Sequence, residues 1–280
     1  MDREPALAAQ VEREVSATPR RALVTGASSG IGEATARALA SAGYRVALWA
    51  RRTDELERVR RSLERADEHR SFSCDLRDSA EITRAMREVR DTFGGLELLV
   101  QNAGHGYLAK VEETDSAQLR SLFETNVVGV LDVSRAALPL LRAGERPVVV
   151  LMSSIVARRG IPGQVAYAAS KAALNSIGEG LRIEWARDRI HVCILDVGLT
   201  RTPFFATQPN PARLSGPNLD GAARAEDVAS SVLALDRSPR PELYLSAKWR
   251  LLGIVNVLAP RLADRLLVRK LGGGWSVPPR

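Results

Sequence analysis

Thr25-Gly26-Ala27-Ser28-Ser29-Gly30-Ile31-Gly32 is the stretch whose reading decides the fold. It follows a short apolar run at 22–25 and opens a helical pattern at 31–42. Glycines at such a junction let the chain turn tightly and approach a pyrophosphate, which then rests on the first N–H groups of the helix. The spacing is G-x-x-x-G-x-G, and a plain tight turn is the bland alternative. The same residues also satisfy G-x-S-x-G, the elbow that presents a nucleophilic serine in hydrolases. That elbow normally follows several strands, whereas this one follows the first. The histidines His69, His105 and His191 offer no convincing triad base.

Working outward, apolar runs alternate with helical patterns along the chain. Runs at 22–25, 45–49, 71–74, 96–100, 147–152, 190–195 and 243–245 read as strands. Segments 31–42, 54–65, 79–93, 116–141, 165–187 and 225–235 read as helices. Strict alternation of this kind predicts a parallel sheet with right-handed crossovers and helices on both faces. The expected fold is α/β: a Rossmann-type, doubly wound parallel sheet in a single domain over 20–246. Residues 1–19 read as a loose N-terminal extension, and 247–280 as a basic amphipathic helical extension. The Pro- and Gly-bearing stretch 200–221 reads as a lid over the site.

The composition fits a soluble globular chain: 280 residues, 45% hydrophobic and 26% charged. It excludes a disordered chain, a collagen-like fibre and a disulfide scaffold. The net charge of +7 first suggests nucleic acid. Its location argues otherwise. Residues 248–280 hold seven basic residues and one acid, Asp264, so the rest of the chain is nearly neutral and offers no basic stripe. Cys74 and Cys193 sit in apolar runs far apart and read as inert core thiols in a reducing cytoplasm. Residues 1–19 carry four acids and no apolar core, so no signal peptide is expected there. No metal site is expected, since three scattered histidines make no ligand cluster.

The second strand ends Trp49-Ala50-Arg51-Arg52. A site for an unphosphorylated ribose would end that strand with an acid. Ala50 stands in that place, and the Arg51 and Arg52 guanidinium forks suit a 2′-phosphate. The expected cofactor is therefore NADP(H) in preference to NAD(H). Farther along, Tyr167 and Lys171 are four residues apart on one helix, so they share a face. A nearby ammonium favours phenolate, which predicts a lowered tyrosine pKa and a usable proton donor or acceptor. Ser154 ends the fifth strand, where open α/β sheets place ligands.

With these residues in view, the chain resembles the short-chain dehydrogenase/reductase family over about 21–246. The resemblance rests on the glycine turn, Asp75, Asn102-Ala103-Gly104, Asn126, Ser154, Tyr167 and Lys171. It implies Tyr167 as general acid/base, Ser154 orienting a carbonyl, and Lys171 binding the nicotinamide ribose. Asn126 would hold a water that relays protons to Lys171. Gly26, Ser28, Ser29, Gly30, Ile31 and Gly32 would cradle the cofactor. Asp75 and Leu76 would meet the adenine, with Asn102, Ala103 and Gly104 beside it; Gly198 and Thr202 would touch the nicotinamide side. Two positions depart from the family pattern: Gln101 replaces an asparagine, and Val197 replaces a proline before Gly198. The second departure predicts a looser nicotinamide-side loop.

The expected activity is hydride transfer between NADP(H) and a carbonyl or secondary alcohol. His105, Tyr107, Ile155, Val156, Gln164, Leu199, Phe204 and Phe205 would line a mostly apolar pocket, which favours a lipophilic small-molecule substrate. The alternative is a regulatory or scaffold protein that binds NADP with weak or no turnover. The resemblance also implies a homodimer or homotetramer built on the helices at 116–141 and 165–187. In the tail, Arg261, Arg265 and Arg269 recur beside an apolar stripe of Leu262, Ala263, Leu266 and Leu267. Two readings stay open there. The segment 248–271 either makes peripheral membrane contact or packs on protein near the lid.

Overall fold

The computed structural model describes residues 19–211 and 213–271. The expected N-terminal extension, all but Pro19, and the last nine residues of the tail lie outside them. Seven strands form one sheet: β1 (Arg21–Thr25), β2 (Arg45–Ala50), β3 (Arg70–Ser73), β4 (Leu98–Gln101), β5 (Val148–Ser154), β6 (His191–Val197) and β9 (Glu242–Tyr244). Their order is β3-β2-β1-β4-β5-β6-β9, and every pairing is parallel. The order reverses between β1 and β4, where a doubly wound sheet opens a crevice at its carboxyl edge. The expected doubly wound α/β fold is thus present.

Side-chain alternation along the strands divides the core into two layers. Ala22, Val24, Leu48, Val100 and Val150 face one way, onto α1 (Gly30–Ser41) and α8 (Ala225–Arg237). Leu23, Ala47, Leu99, Val149 and Leu151 face the other way. They meet α3 (Ser79–Phe93), α5 (Gly129–Arg142) and α6 (Val165–Glu184). The charged α2 (Thr53–Arg61) buries only Leu56 and Val59. Asp78 caps α3 by accepting from the N–H groups of Ala80 and Glu81 at 2.8 and 3.1 Å, which satisfies donors the helix itself leaves unpaired.

Most boundaries differ from the sequence reading by one to four residues. One difference is larger. The expected helix at 116–141 is interrupted: α4 (Ser116–Phe123) leads into a π turn, Glu124–Val128, before α5 begins. The wider turn accommodates an extra residue and buries Asn126 at 1% exposure. At its end Gly129 lies so near Leu76 that a Cβ would stand 2.5 Å from the Leu76 carbonyl oxygen.

The stretch at 200–221 carries structure of its own. β7 (Thr200–Arg201) pairs with β8 (Ala223–Arg224), and α7 (Phe204–Thr207) follows β7. The tail forms two helices, α9 (Ala247–Leu258) and α10 (Pro260–Leu271). They dock on the domain. Ala263 and Leu267 are buried, and Arg159 donates to Asn256 Oδ1 at 2.8 Å and pairs with Asp264. The inner side of the tail therefore packs on the domain, while Leu251, Ile254, Val257, Leu258, Leu262 and Leu266 stay exposed on its outer side, where the membrane reading remains open. Among the described residues, no helix is long and apolar enough to cross a membrane.

Candidate active site

A cleft of about 690 Å³ opens at the carboxyl edge of the sheet, over the point where the strand order reverses. One wall is the glycine turn. Gly26 and Gly30 have φ of +67° and +59°, a region that side-chain-bearing residues rarely adopt. A Cβ on Gly26 would lie 2.9 Å from Ala103 Cα. Gly32 does not line the cleft. It lets α1 pack on the turn, since its Cβ would fall 2.2 Å from the Gly26 carbonyl oxygen.

The end of β4 braces this turn. Thr25 Oγ1 accepts from the N–H groups of Asn102 and Ala103, each at 3.0 Å. The Asn102 amide donates to the Thr25 and Gly26 carbonyls at 2.9 and 3.3 Å. Gln101, where the family pattern has asparagine, points the other way. Its amide donates to Ser134 Oγ at 2.7 Å and the Val130 carbonyl at 3.1 Å, tying β4 to α5. Ser29 supplies no side-chain cap to α1, so the first-turn N–H groups stay available to an anion. Arg52 donates to Ser28 Oγ at 3.1 Å and Ser29 Oγ at 3.0 Å, which sets its guanidinium across the turn, and Arg51 lines the cleft beside it. These features fit a nicotinamide dinucleotide. Asp75 and Leu76 also line the cleft. Arg77 sits on the Asp75 carboxylate at 2.6 Å and holds its pKa below the usual range.

Ser154, Tyr167 and Lys171 converge on the cleft. The Ser154 hydroxyl interacts with the Tyr167 phenol and favours its ionised form. Desolvation outweighs that effect and pushes the phenol up to about 12. Lys171 Nζ donates to the Met152 carbonyl at 2.7 Å and lies 6.0 Å from the Tyr167 ring centroid. Burial pulls this ammonium down to about 8, partly opposed by the Asp196 carboxylate. The expected lowering of the tyrosine pKa is therefore not produced by the protein alone, because the same burial penalises both charges.

Asn126 stands behind this group. Its amide donates to the His105 carbonyl at 3.0 Å and to Ser170 Oγ at 3.1 Å, while its oxygen accepts from the His105 N–H at 3.1 Å. It thereby fixes the backbone that follows Gly104. A Cβ on Gly104 would meet Asn126 Oδ1 at 2.9 Å and Lys171 Nζ at 3.7 Å, so amide and ammonium flank the same point.

His105, Ile155, Val156, Gln164, Leu199, Phe204 and Phe205 line the cleft as expected, and so do Gly198 and Thr202. Phe204 packs on Tyr167 with ring centroids 5.7 Å apart. Tyr107 does not belong to this set. It is 2% exposed, packed with Ala109 and Leu122, and its hydroxyl accepts from the Asp115 N–H at 3.0 Å. An aromatic ring near the cleft in sequence has been used as core.

Arg158, Arg159, Gly253, Leu267 and Leu271 are cleft residues that the sequence reading missed. The available signal was Asp264, the one acid in a basic helix, which Arg159 engages. Ser28 Oγ accepts from Arg52, and the His69 ring is engaged by the Val46 N–H and the Glu64 carbonyl, so His69 is not available as a base for a hydrolase elbow at Ser28. Cys74 and Cys193 are buried free thiols, pushed up to about 12 and about 11. Among the described residues, no group of three or more His, Cys, Asp or Glu could hold a metal ion.

The family profile described as short chain dehydrogenase matches residues 20–212. The chain belongs to the short-chain dehydrogenase/reductase family. An uncharacterised oxidoreductase of Mycobacterium tuberculosis is 32% identical over 253 residues, covering 89% of this chain and 97% of its own. Among solved structures, an alcohol dehydrogenase of the archaeon Thermococcus sibiricus, complexed with 5-hydroxy-NADP, superposes with a TM-score of 0.74. It is 29% identical and covers 82% of this chain and 97% of its own. A 3-ketoacyl-(acyl-carrier-protein) reductase from Brucella melitensis, complexed with NADH, gives 0.73 at 26% identity, covering 81% and 96%. As a member of this family the protein is an NAD(P)-dependent oxidoreductase.

Proposed function

We propose that the protein is an NADP(H)-dependent reductase of lipophilic carbonyls, with Tyr167 as its general acid/base. The convergence of Ser154, Tyr167 and Lys171 on one cleft carries the reading. When bound, the nicotinamide supplies or accepts the hydride at the substrate carbon. Ser154 would hold the substrate oxygen, and the Tyr167 phenol would give or take its proton. A phenol held up to about 12 stays protonated at neutral pH, which suits it to donate in the reducing direction. Lys171 would bind the nicotinamide ribose, and Asn126 would serve as the proton relay. Gly26, Ser28, Ser29, Gly30 and Ile31 would cradle the pyrophosphate, with Asp75 and Leu76 at the adenine.

The preference for NADP(H) is supported by Arg51 and Arg52, by the clamp of Arg52 on Ser28 and Ser29, and by Ala50 where an acid would repel a 2′-phosphate. The lipophilic substrate is supported by Ile155, Val156, Leu199, Phe204 and Phe205. Val128, Leu131, Val165 and Ile183 are exposed on the helices from α4 to α6, which supports a homo-oligomer formed on that side. Two buried free thiols suit a reducing cytoplasm.

The test is turnover on a panel of aliphatic, aromatic and polar ketones with NADPH and with NADH. NADPH should be preferred, and apolar ketones should lead the panel. Tyr167→Phe should lower kcat/KM by about a thousandfold while binding NADPH within twofold of the parent. Reduction confined to small polar carbonyls would overturn the substrate class. NADPH binding with no turnover by either form would favour the scaffold alternative.

A further inference from the structure

The two C-terminal helices leave a surface that the catalytic domain does not use. Seven of the twelve exposed large hydrophobic side chains among the described residues lie on α9 and α10. On α9 they are Leu251, Ile254, Val257 and Leu258. At about 100° per residue these four fall within about a third of the helix circumference. On α10, Leu262 and Leu266 are exposed between two other stripes. One is buried Ala263 and Leu267; the other is exposed Arg261, Arg265 and Arg269.

The charges around these side chains have one sign. Lys248 and Arg250 add to the three arginines, and the tail's one acid, Asp264, is engaged by Arg159. Apolar side chains beside cations, on helices too short to cross a bilayer, have the composition of helices that bind at a membrane interface.

We propose that α9 and α10 seat the protein on an anionic lipid bilayer, with Leu251, Ile254, Val257, Leu258, Leu262 and Leu266 entering the headgroup boundary. The basic residues complement lipid phosphates, as a cluster of four to eight Lys or Arg on an amphipathic helix does. A second copy of this chain fits less well, because a two-fold contact through this face would set like charges against one another. A different exposed apolar set, on the helices from α4 to α6, is available for self-association. Seating also has a geometric consequence. Gly253 and Leu267 line the cleft from the inner side of the same helices, with the exposed Leu271 at its rim, so the bilayer would lie against the cleft's substrate end.

The experiment is co-sedimentation of the full chain with phosphatidylcholine vesicles, with and without about a third phosphatidylglycerol. Two surface variants accompany it: Arg261→Glu with Arg265→Glu, and Ile254→Asp with Leu258→Asp. All four positions are exposed, so both variants should keep the parental melting temperature and NADPH binding. Parent protein should sediment with anionic vesicles and be released by high salt. The arginine variant should bind at least about thirtyfold more weakly, at roughly fivefold per basic residue. The apolar variant should lose at least about tenfold. The proposal is overturned if the parent ignores anionic vesicles, or if both variants bind them as the parent does. It is equally overturned if the variants shrink an oligomer in light scattering and leave sedimentation unchanged. Sedimentation needs no turnover, so failure of the proposed reductase activity would leave this outcome legible.

Discussion

The two ends of the cleft are held by different means. At the glycine turn, neighbouring strand ends brace one another through short hydrogen bonds, Thr25 to Asn102 and Ala103, and Asn102 back to Thr25 and Gly26. Close backbone approaches leave no room for a Cβ at Gly26 or Gly32. At the other end the wall is assembled from segments far apart in sequence: the loop after β5, α7 of the lid, and the tail. The bonds from Arg159 to Asn256 and Asp264 join the loop to the tail, and Phe204 of α7 packs on Tyr167 of α6. A cofactor site can be built rigidly into a sheet edge, while a substrate wall made of appended segments can change without disturbing it.

Breaking the rigid end should have the largest effect. Gly26→Val places a branched side chain at φ +67° and drives its Cβ to within 2.9 Å of the Ala103 backbone. A loss of about 3 kcal/mol or more in unfolding free energy is expected by urea denaturation, together with loss of NADPH binding. The next effect is specific to the cofactor. Arg52→Ala should lower kcat/KM with NADPH by about thirtyfold and leave NADH nearly unchanged, as expected when charge-assisted bonds worth about 2 kcal/mol are removed. At the appended end the sign should reverse. A Cβ on Gly253, inside α9, would make an ordinary contact at 3.5 Å with Arg158. Gly253→Ala should therefore stabilise the protein by up to about 1 kcal/mol through helix propensity, read as a higher melting temperature. A destabilising result would mean that the tail is fitted as closely as the glycine turn.

The same contrast explains what the sequence could reveal. Strand and helix alternation was readable because core-facing residues repeat at the period of each element, as Ala22 and Val24 do against Leu23. Gly26, Tyr167 and Lys171 were readable because local spacing fixes their relation. The π turn at Glu124–Val128 has no comparable local mark, since its wide turn is tied to burying Asn126 against His105 and Ser170. Tyr107 was misplaced for a similar reason: cleft or core is decided by Ala109, Leu122 and Asp115 around it. The tail's contribution to the cleft depends on Arg159, about a hundred residues earlier in the chain. The tyrosine pKa went the other way because burial, which spacing does not report, dominates it.

An effect of similar size to that at Gly253, but dependent on pH, is expected beneath the substrate end. Asp196 in β6 is fully buried, with Arg158 Nε at 3.8 Å and Glu242, Tyr244 and Lys171 as its other charged or titratable neighbours. Burial pushes its carboxyl up to about 6, and the Arg158 charge opposes that only in part. A carboxyl whose folded pKa is raised binds its proton more tightly in the folded state. Its contribution to stability is full below the unfolded pKa of about 4 and is lost as pH rises through about 6. Asp196→Asn removes this dependence. The difference in unfolding free energy between variant and parent should therefore move in the variant's favour by about 1 kcal/mol from pH 5 to pH 8, read by urea denaturation at both values. Gly26 variants should show no such pH trend, because no titrating group changes environment there. Parallel pH profiles for Asp196→Asn and parent would mean that Arg158 neutralises the carboxylate fully, and that the substrate end is as well satisfied as the glycine turn.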